Sequence, residues 1–355
     1  GTRPRTYDER MFGFMLAADL DGYDYIRGSM AKNRGMTRKT LNYHGHSILA
    51  KTGLDVTVDN EGKYTKGEDK GAVWHRVQAN NVVFLTGCSH LDAKSAAKRE
   101  AMAYHVIKRA IFDTGTTPGT TEQEKKTNLA GMLKSGSAGP NPAARNSNWH
   151  AVFIGGDLNY RLSAKDADWV AGVPSNPAPK TREELIAYIG DHTKWPELFQ
   201  QDLLNKESIL HTTFEFQCND PFVLNGAVQR GYAPTYKRVV AKARECAEFA
   251  RTVNPANANE CFFNGAETPK LDHKGPKTDA NPLGTEIQTG YLDRVCYAAK
   301  NGVTVEKQFD TACETCIESD HIPIIVQYEL KTPADAVLPD DDDDYVAVEG
   351  TEEVI

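Results

Sequence analysis

This sequence predicts a mixed α/β protein in which two packed β-sheets are flanked by helices, and three features point there. Short apolar runs of strand length recur at 82–85, 151–154 and 322–326, and the last two meet a Gly-Gly-Asp or an Asp-His cluster. From about Ser95 the period turns helical, with Met102, Val106 and Ala110 spaced by four beside Ala103, Ile107 and Ile111. The strands are separated by loops or helices without the regular alternation of a doubly wound parallel sheet.

In chain order, residues 7–20 are apolar at helical spacing (Met11, Met15, Leu16, Leu20) until Asp21-Gly22 breaks them, and 23–26 reads as a short strand. Residues 46–51 and 72–78 read as strands flanking a polar, glycine-containing hairpin region, with a third strand at 81–86. Residues 113–147, rich in Gly, Thr, Pro, Ser and Asn, read as a long surface loop or insertion. The strand at 149–155 follows. Thr181-Arg-Glu-Glu184 is a capping-box pattern opening a helix through Ile189, and a second helix spans 195–204. Residues 241–285 begin helically, then turn irregular, with an insertion expected near 250–285. Strands around 291–297 and 322–330 close one catalytic domain, 1–332, before an acidic tail, 333–355. No internal repeat is visible.

The 355 residues are long enough for one large core or two smaller ones, and 40% hydrophobic with 25% charged residues is a globular composition. No run approaches the roughly 20 apolar residues of a membrane span. Neither a signal peptide at Gly1 nor a lipidation motif at the C-terminal Glu-Glu-Val-Ile is expected. The net charge of -8 argues against a general nucleic-acid binder, which carries a basic face to displace counterions. Seven scattered cysteines do not read as a disulfide framework. Cys313-Glu-Thr-Cys316 has zinc-knuckle spacing without a second ligand pair, so a local disulfide or two reduced thiols is preferred.

The chemistry concentrates where apolar runs end. Asp157 and Asn159 stand two apart after the run 151–154, and Asp320-His321 stand side by side before 322–326. Strands ending this way bring polar groups to the mouth of a sheet, where phosphoryl transfer needs a base, a metal ligand and charge stabilisers. Asn159 on an extended segment would share a face with Asp157 and hold water or a phosphate oxygen; alternatively it is a turn residue. Cys88-Ser-His90 follows the strand 81–86, and His90 either reaches the same rim or caps the next helix.

Four segments, GGDLNYRL at 155–162, APTYKRV at 233–239, TGYLDRV at 289–295 and SDHIPI at 319–324, together resemble the endonuclease/exonuclease/phosphatase superfamily. Within it they are similar to the inositol polyphosphate 5-phosphatases, over roughly 70–326. The resemblance implies a DNase I-like α/β (α+β) fold, a four-layered sandwich of two β-sheets flanked by helices. It implies a Mg2+-dependent attack of water on the 5-phosphate of a phosphoinositide or soluble inositol polyphosphate, with no covalent intermediate. By the same resemblance Asp157 is the base, His321 donates to the scissile phosphate, Asp293 orients His321, His90 is a second phosphate donor and Asp320 lies near the metal. Tyr236 and Lys237 grip the neighbouring 4-phosphate, Lys70 meets phosphate, and Arg161 either contacts phosphate or forms a buried structural ion pair. A monomer in the cytoplasm, peripheral at a membrane surface and without nucleic-acid partners, is expected.

The sequence departs from the family in places. Cys88 stands where Asn is usual, Asp69 and Ala72 flank Lys70-Gly71 in place of Asn and Gly, and Tyr291-Leu292 replaces a Trp-Cys pair. The resemblance places the family's metal-binding Glu on an early strand upstream of a helix like 7–20; Glu9 is a poor substitute, so either that strand precedes Gly1, which is the expectation, or the metal site is incomplete. The competing functions are a superfamily nuclease and a non-catalytic phosphoinositide-binding module.

Overall fold

A computed structural model describes residues 22–32, 43–66, 70–112, 117–139, 148–163, 182–236, 286–287, 289–313 and 320–333. Its elements in order are β1 (Tyr23–Lys32), β2 (Tyr43–Lys51), β3 (Val56–Lys66), β4 (Lys70–Ala79), β5 (Val82–His90), α1 (Ala96–Ile111), α2 (Glu122–Ser135), β6 (Ala151–Asp157) and β7 (Leu162–Ser163). There follow α3 (Arg182–Gly190), a 3-10 turn (His192–Lys194), α4 (Trp195–Gln200), α5 (Leu203–Lys206), α6 (Ile209–Thr212), β8 (Gln217–Cys218), β9 (Val223–Leu224), β10 (Ala227–Val228), β11 (Glu286–Ile287), β12 (Asp293–Ala299), β13 (Thr304–Ala312) and β14 (Ile324–Lys331).

The principal sheet has six strands in the order β3-β4-β5-β6-β12-β8, antiparallel throughout except for the β5–β6 pair. Side chains alternate between its faces, as strand geometry requires. Ala72 and Trp74, Val83 and Leu85, Val152 and Ile154, and Cys296 and Ala298 all join one buried cluster with helix residues Met102, Val106, Ile107, Leu129 and Leu133. The other face meets a second β layer, the antiparallel hairpins β1–β2 and β13–β14. There His46 of β2 bonds His75 of β4, and Tyr328 of β14 packs against Phe153 and Tyr297. A second apolar cluster, including Leu185, Trp195, Phe199, Tyr291 and Ile322, holds the segments that follow β6 and that lead into β12 and β14.

The helix expected from Ser95 is α1, and Ser95 caps it by accepting the N–H of Lys98. Other expectations are corrected. The stretch 113–147 contains a helix, α2, opened by a capping box between Thr121 and Glu124 and closed by Gly136 in the left-handed conformation. Leu129 and Leu133, one turn apart, are buried, and each contributes roughly 1.5–3 kcal/mol. The polar region before β4 is a full strand, β3, at the sheet edge. Val56, Val58 and Tyr64 turn inward while Thr57, Asp59, Lys63 and Thr65 are exposed. The single helix expected over 195–204 is two, α4 and α5, because Asp202 leaves the helical path to cap α5 through Leu204 N. Strand β13 is an addition, its polar sequence stitched to β14 around a bulge at Lys307–Phe309.

The reading of the cysteines is also corrected. Cys218 and Cys296, 78 residues apart, are bonded as register partners across β8 and β12, and Cys313 is disulfide-bonded. Sequence spacing could not find the first pair because sheet topology makes them neighbours. Among the described residues no helix is long and apolar enough to cross a membrane. The helix expected at 7–20, the insertion near 250–285 and the tail beyond 333 lie outside the described residues.

Candidate active site

Strand register builds the site. Gly71 pairs with His90, His90 with Asp157, and Asp157 with Asp293, so β4, β5, β6 and β12 present one row at the same rim. The row is pinned at its ends: Leu91 N–H donates to the Asp157 carbonyl at 3.0 Å, and Leu158 N–H to the Leu292 carbonyl at 2.8 Å. Gly156 lets β5 and β6 approach this closely. Its φ of 113° disfavours any side chain, and a Cβ there would collide with the Ser89 carbonyl oxygen. Behind the row, Arg294 anchors the start of β12. It is fully buried, pairs with the buried Asp202, and donates Nε–H to Asn219 Oδ1 at 3.1 Å.

His321 arrives from the segment before β14. Its Nδ1 lies 2.8 Å from Asp293 Oδ2, and its Nε2 lies 3.8 Å from Asp157 Oδ2. His90 Nε2 lies 3.2 Å from the same Asp157 oxygen and also meets Lys70 Nζ. Asp157 therefore sits between two imidazoles. Burial pushes its carboxyl up, but the His90 hydrogen bond and the charges of His321, His90 and Arg161 outweigh that and hold it below the usual range. Burial pushes His321 down, and the hydrogen bond and charge of Asp293, with Asp157 and Asp320, reverse the direction and raise it. Burial raises Asp293, against the His321 hydrogen bond. The Asp293–His321 pair thus holds its proton tightly while Asp157 stays ionised.

A family model described as "Endonuclease/Exonuclease/phosphatase family 2" matches residues 31–272, more than half of the chain. The chain belongs to this family. Nucleases and phosphatases both hydrolyse phosphate esters, so it is a hydrolase of the phosphoesterase superfamily, and its mixed α/β architecture is that of the DNase I-like fold. The chain is similar to the inositol polyphosphate 5-phosphatase domain of SPsynaptojanin, solved with inositol (1,4)-bisphosphate and calcium ion (18% identity, 92% of this chain and 69% of that one, TM-score 0.47). It is similar to a Cimex nitrophorin in its ferrous NO complex (13% identity, 92% and 81%, TM-score 0.45) and to a Bacteroides thetaiotaomicron mannosyl-6-phosphatase (12% identity, 90% and 82%, TM-score 0.35). Likenesses this distant do not bear on substrate. No curated protein matches the chain.

Family members are commonly dependent on a divalent metal. Magnesium asks for an octahedron of oxygens, completed by one or two carboxylates, water and substrate. Among the described residues no group of three or more His, Cys, Asp or Glu side chains could hold a metal ion. Asp157 and Asp293 face imidazoles, which leaves Asp320, partly exposed beside His321, as the expected oxygen donor. The described residues do not complete a magnesium site, and Glu9 lies outside them.

The remaining expected residues divide. Lys70 and Tyr236 stand at the rim, the Tyr236 ring centroid 4.6 Å from that of His321. Lys237 lies outside the described residues. His90 does not cap α1, since Ser95 does. The extended placement of Asn159 is corrected: its φ of 57° turns the chain just past β6. It is buried, its amide donating to the Leu91 carbonyl at 3.1 Å and its Oδ1 accepting from Arg161 at 2.9 Å. Its backbone N–H donates to Asp157 Oδ1 at 3.0 Å, the Asx geometry of a turn residue. Arg161 is likewise buried, with its guanidinium 4.8 Å from the Tyr236 ring centroid, which fits the structural alternative better than a phosphate contact. Neither the anchor Arg294–Asp202–Asn219 nor the His46–His75 contact is foreshadowed in sequence, because each joins residues far apart in the chain.

Proposed function

We propose that this protein is a phosphomonoesterase that removes the 5-phosphate from phosphoinositides or soluble inositol polyphosphates by direct attack of water. The single observation carrying the hydrolytic part is the rim row in which an ionised Asp157 lies between His90 and the Asp293-supported His321. A phosphate monoester repels its nucleophile, so catalysis there consists of positioning and charge neutralisation. Asp157 orients the attacking water and accepts its proton as the new P–O bond forms; the P–O bond to the inositol 5-oxygen breaks, and that oxygen takes a proton from solvent to leave as the alcohol. Protonated His321 donates through Nε2 to the phosphate oxygens as charge builds, and Asp293 keeps that proton in place. His90 and Lys70 add donors from the neighbouring strands. Support for an inositol substrate comes from the Ala-Pro-Thr-Tyr-Lys segment, which sets Tyr236 beside His321. A magnesium requirement is part of the proposal.

The test is phosphate release from a panel of inositol phosphates and phosphoinositide vesicles, with and without EDTA, run beside plasmid nicking. Release from 4,5-bisphosphorylated compounds that EDTA abolishes supports the reading. Nicking without phosphate release would establish a nuclease instead, and binding without turnover at saturating Mg2+ a non-catalytic module.

A further inference from the structure

Asp293 and His321 meet at 2.8 Å although they belong to different layers: Asp293 opens β12 of the principal sheet, and His321 precedes β14 of the second layer. Their approach therefore depends on whatever joins the two layers at the rim. The join is residues 235 and 236. Thr235 is fully buried, and its carbonyl accepts the N–H of Ile322 at 2.8 Å, one residue beyond His321. Its hydroxyl oxygen accepts the backbone N–H of Asp293 at 3.2 Å. One residue thus holds the start of β12 through its side chain and the His321 segment through its backbone. Tyr236 extends the clasp, exchanging two backbone hydrogen bonds with Gly290 (3.2 and 3.1 Å) and bridging His321.

We propose that Thr235 is a positioning residue for the Asp293–His321 pair, its hydroxyl fixing the Asp293 backbone from which the carboxylate reaches His321 Nδ1 while its carbonyl holds the His321 segment in reach. This rests on the reading of the rim as a phosphoester-hydrolysing site, because a reaction is what makes the direction of His321 matter. Thr235 touches neither substrate nor the reacting atoms; it acts through Asp293. The hydroxyl is separable from the clasp, since Thr235→Val keeps the backbone and the shape but leaves the Asp293 N–H without its buried acceptor. Thr235→Ser restores the hydroxyl.

The test measures kcat and KM of both variants on whichever phosphate ester the wild type hydrolyses, together with a crystal structure of Thr235→Val. The expected result is a kcat loss of about tenfold or more for Val with KM within about twofold, and recovery to within about threefold of wild type for Ser. In the Val crystal structure the Asp293 carboxylate should have turned away from His321 Nδ1. That structural readout needs no turnover, so a wrong role for Thr235 is distinguished from a wrong choice of reaction. A Val variant with near-wild-type kcat and the pair intact would overturn the proposal, as would a rise in KM alone, or a Ser variant as slow as Val. Should the Val variant not fold, Thr235→Ala is held to the same kcat, KM and crystallographic criteria.

Discussion

Asp157 is the residue on which the hydrolytic reading turns, because it is the carboxylate held ionised between two imidazoles. Replacing it with Asn keeps the shape but removes the basic oxygen. Asp157→Asn is expected to lower kcat by about 100- to 10,000-fold, read as phosphate release; activity within about tenfold of wild type would remove it as the base. Asp293 acts one step back. It raises the proton affinity of His321 through a hydrogen bond and its charge, so it keeps the imidazolium charged to higher pH than an ordinary histidine. In Asp293→Asn that support is lost, and the alkaline limb of the kcat profile should move to lower pH. A limb that stays in place, measured across pH 5–10 at about 0.5-unit steps, would show that another group controls it.

At the scale of elements, the site is a matter of strand register, and Gly156 guards the register between β5 and β6. A side chain at φ 113° against the Ser89 carbonyl must push the strands apart, so Gly156→Ala should cost about 1–3 kcal/mol in urea denaturation and weaken turnover with it. Wild-type stability in this variant would mean that the strands separate freely. The second layer docks partly through the 2.8 Å contact between His46 on β2 and His75 on β4. Burial, then the charge of His75, depresses His46 from 6.5 to about 4. The folded state therefore binds fewer protons than the unfolded chain between those values, and His46 contributes stability above 6.5 that is lost as pH falls toward 4. The melting temperature should drop over that window, and the drop should be smaller in His46→Gln; equal slopes would place the acid sensitivity elsewhere.

For the whole molecule, the Cys218–Cys296 bond closes a 78-residue separation that spans the Ala-Pro-Thr-Tyr segment and joins the edge strand β8 to the strand carrying Asp293. Its loss, by reduction or in Cys218→Ser, is expected to cost about 2–5 kcal/mol, measured by chemical denaturation with and without reductant. An unchanged midpoint would show that the thiols are unpaired in solution. The paired strands that were legible in advance are those with apolar cores, β5 and β6 above all. Strands β3 and β13 were hidden because an edge or hairpin strand with polar outward residues has no continuous apolar run. Helix α2 was hidden by Gly, Thr and Ser around it, although its Thr-Glu-Gln-Glu box stood in plain sight at 121–124.

By itself the sequence determined which side chains border buried strands: His90, Asp157 and His321 follow from apolar runs that meet polar residues, and Asp293 follows from the resemblance carried by the TGYLDRV segment. Tertiary structure alone decided which of them touch. Strand order set Asp157 between His90 and Asp293, the turn at Asn159 sent its amide inward to Leu91, and Arg161 went behind Tyr236. The physical reason is that side-chain alternation is local, whereas register and layer packing depend on partners tens or hundreds of residues away. No spacing along the chain encodes that Thr235 should reach Asp293 and Ile322 at once.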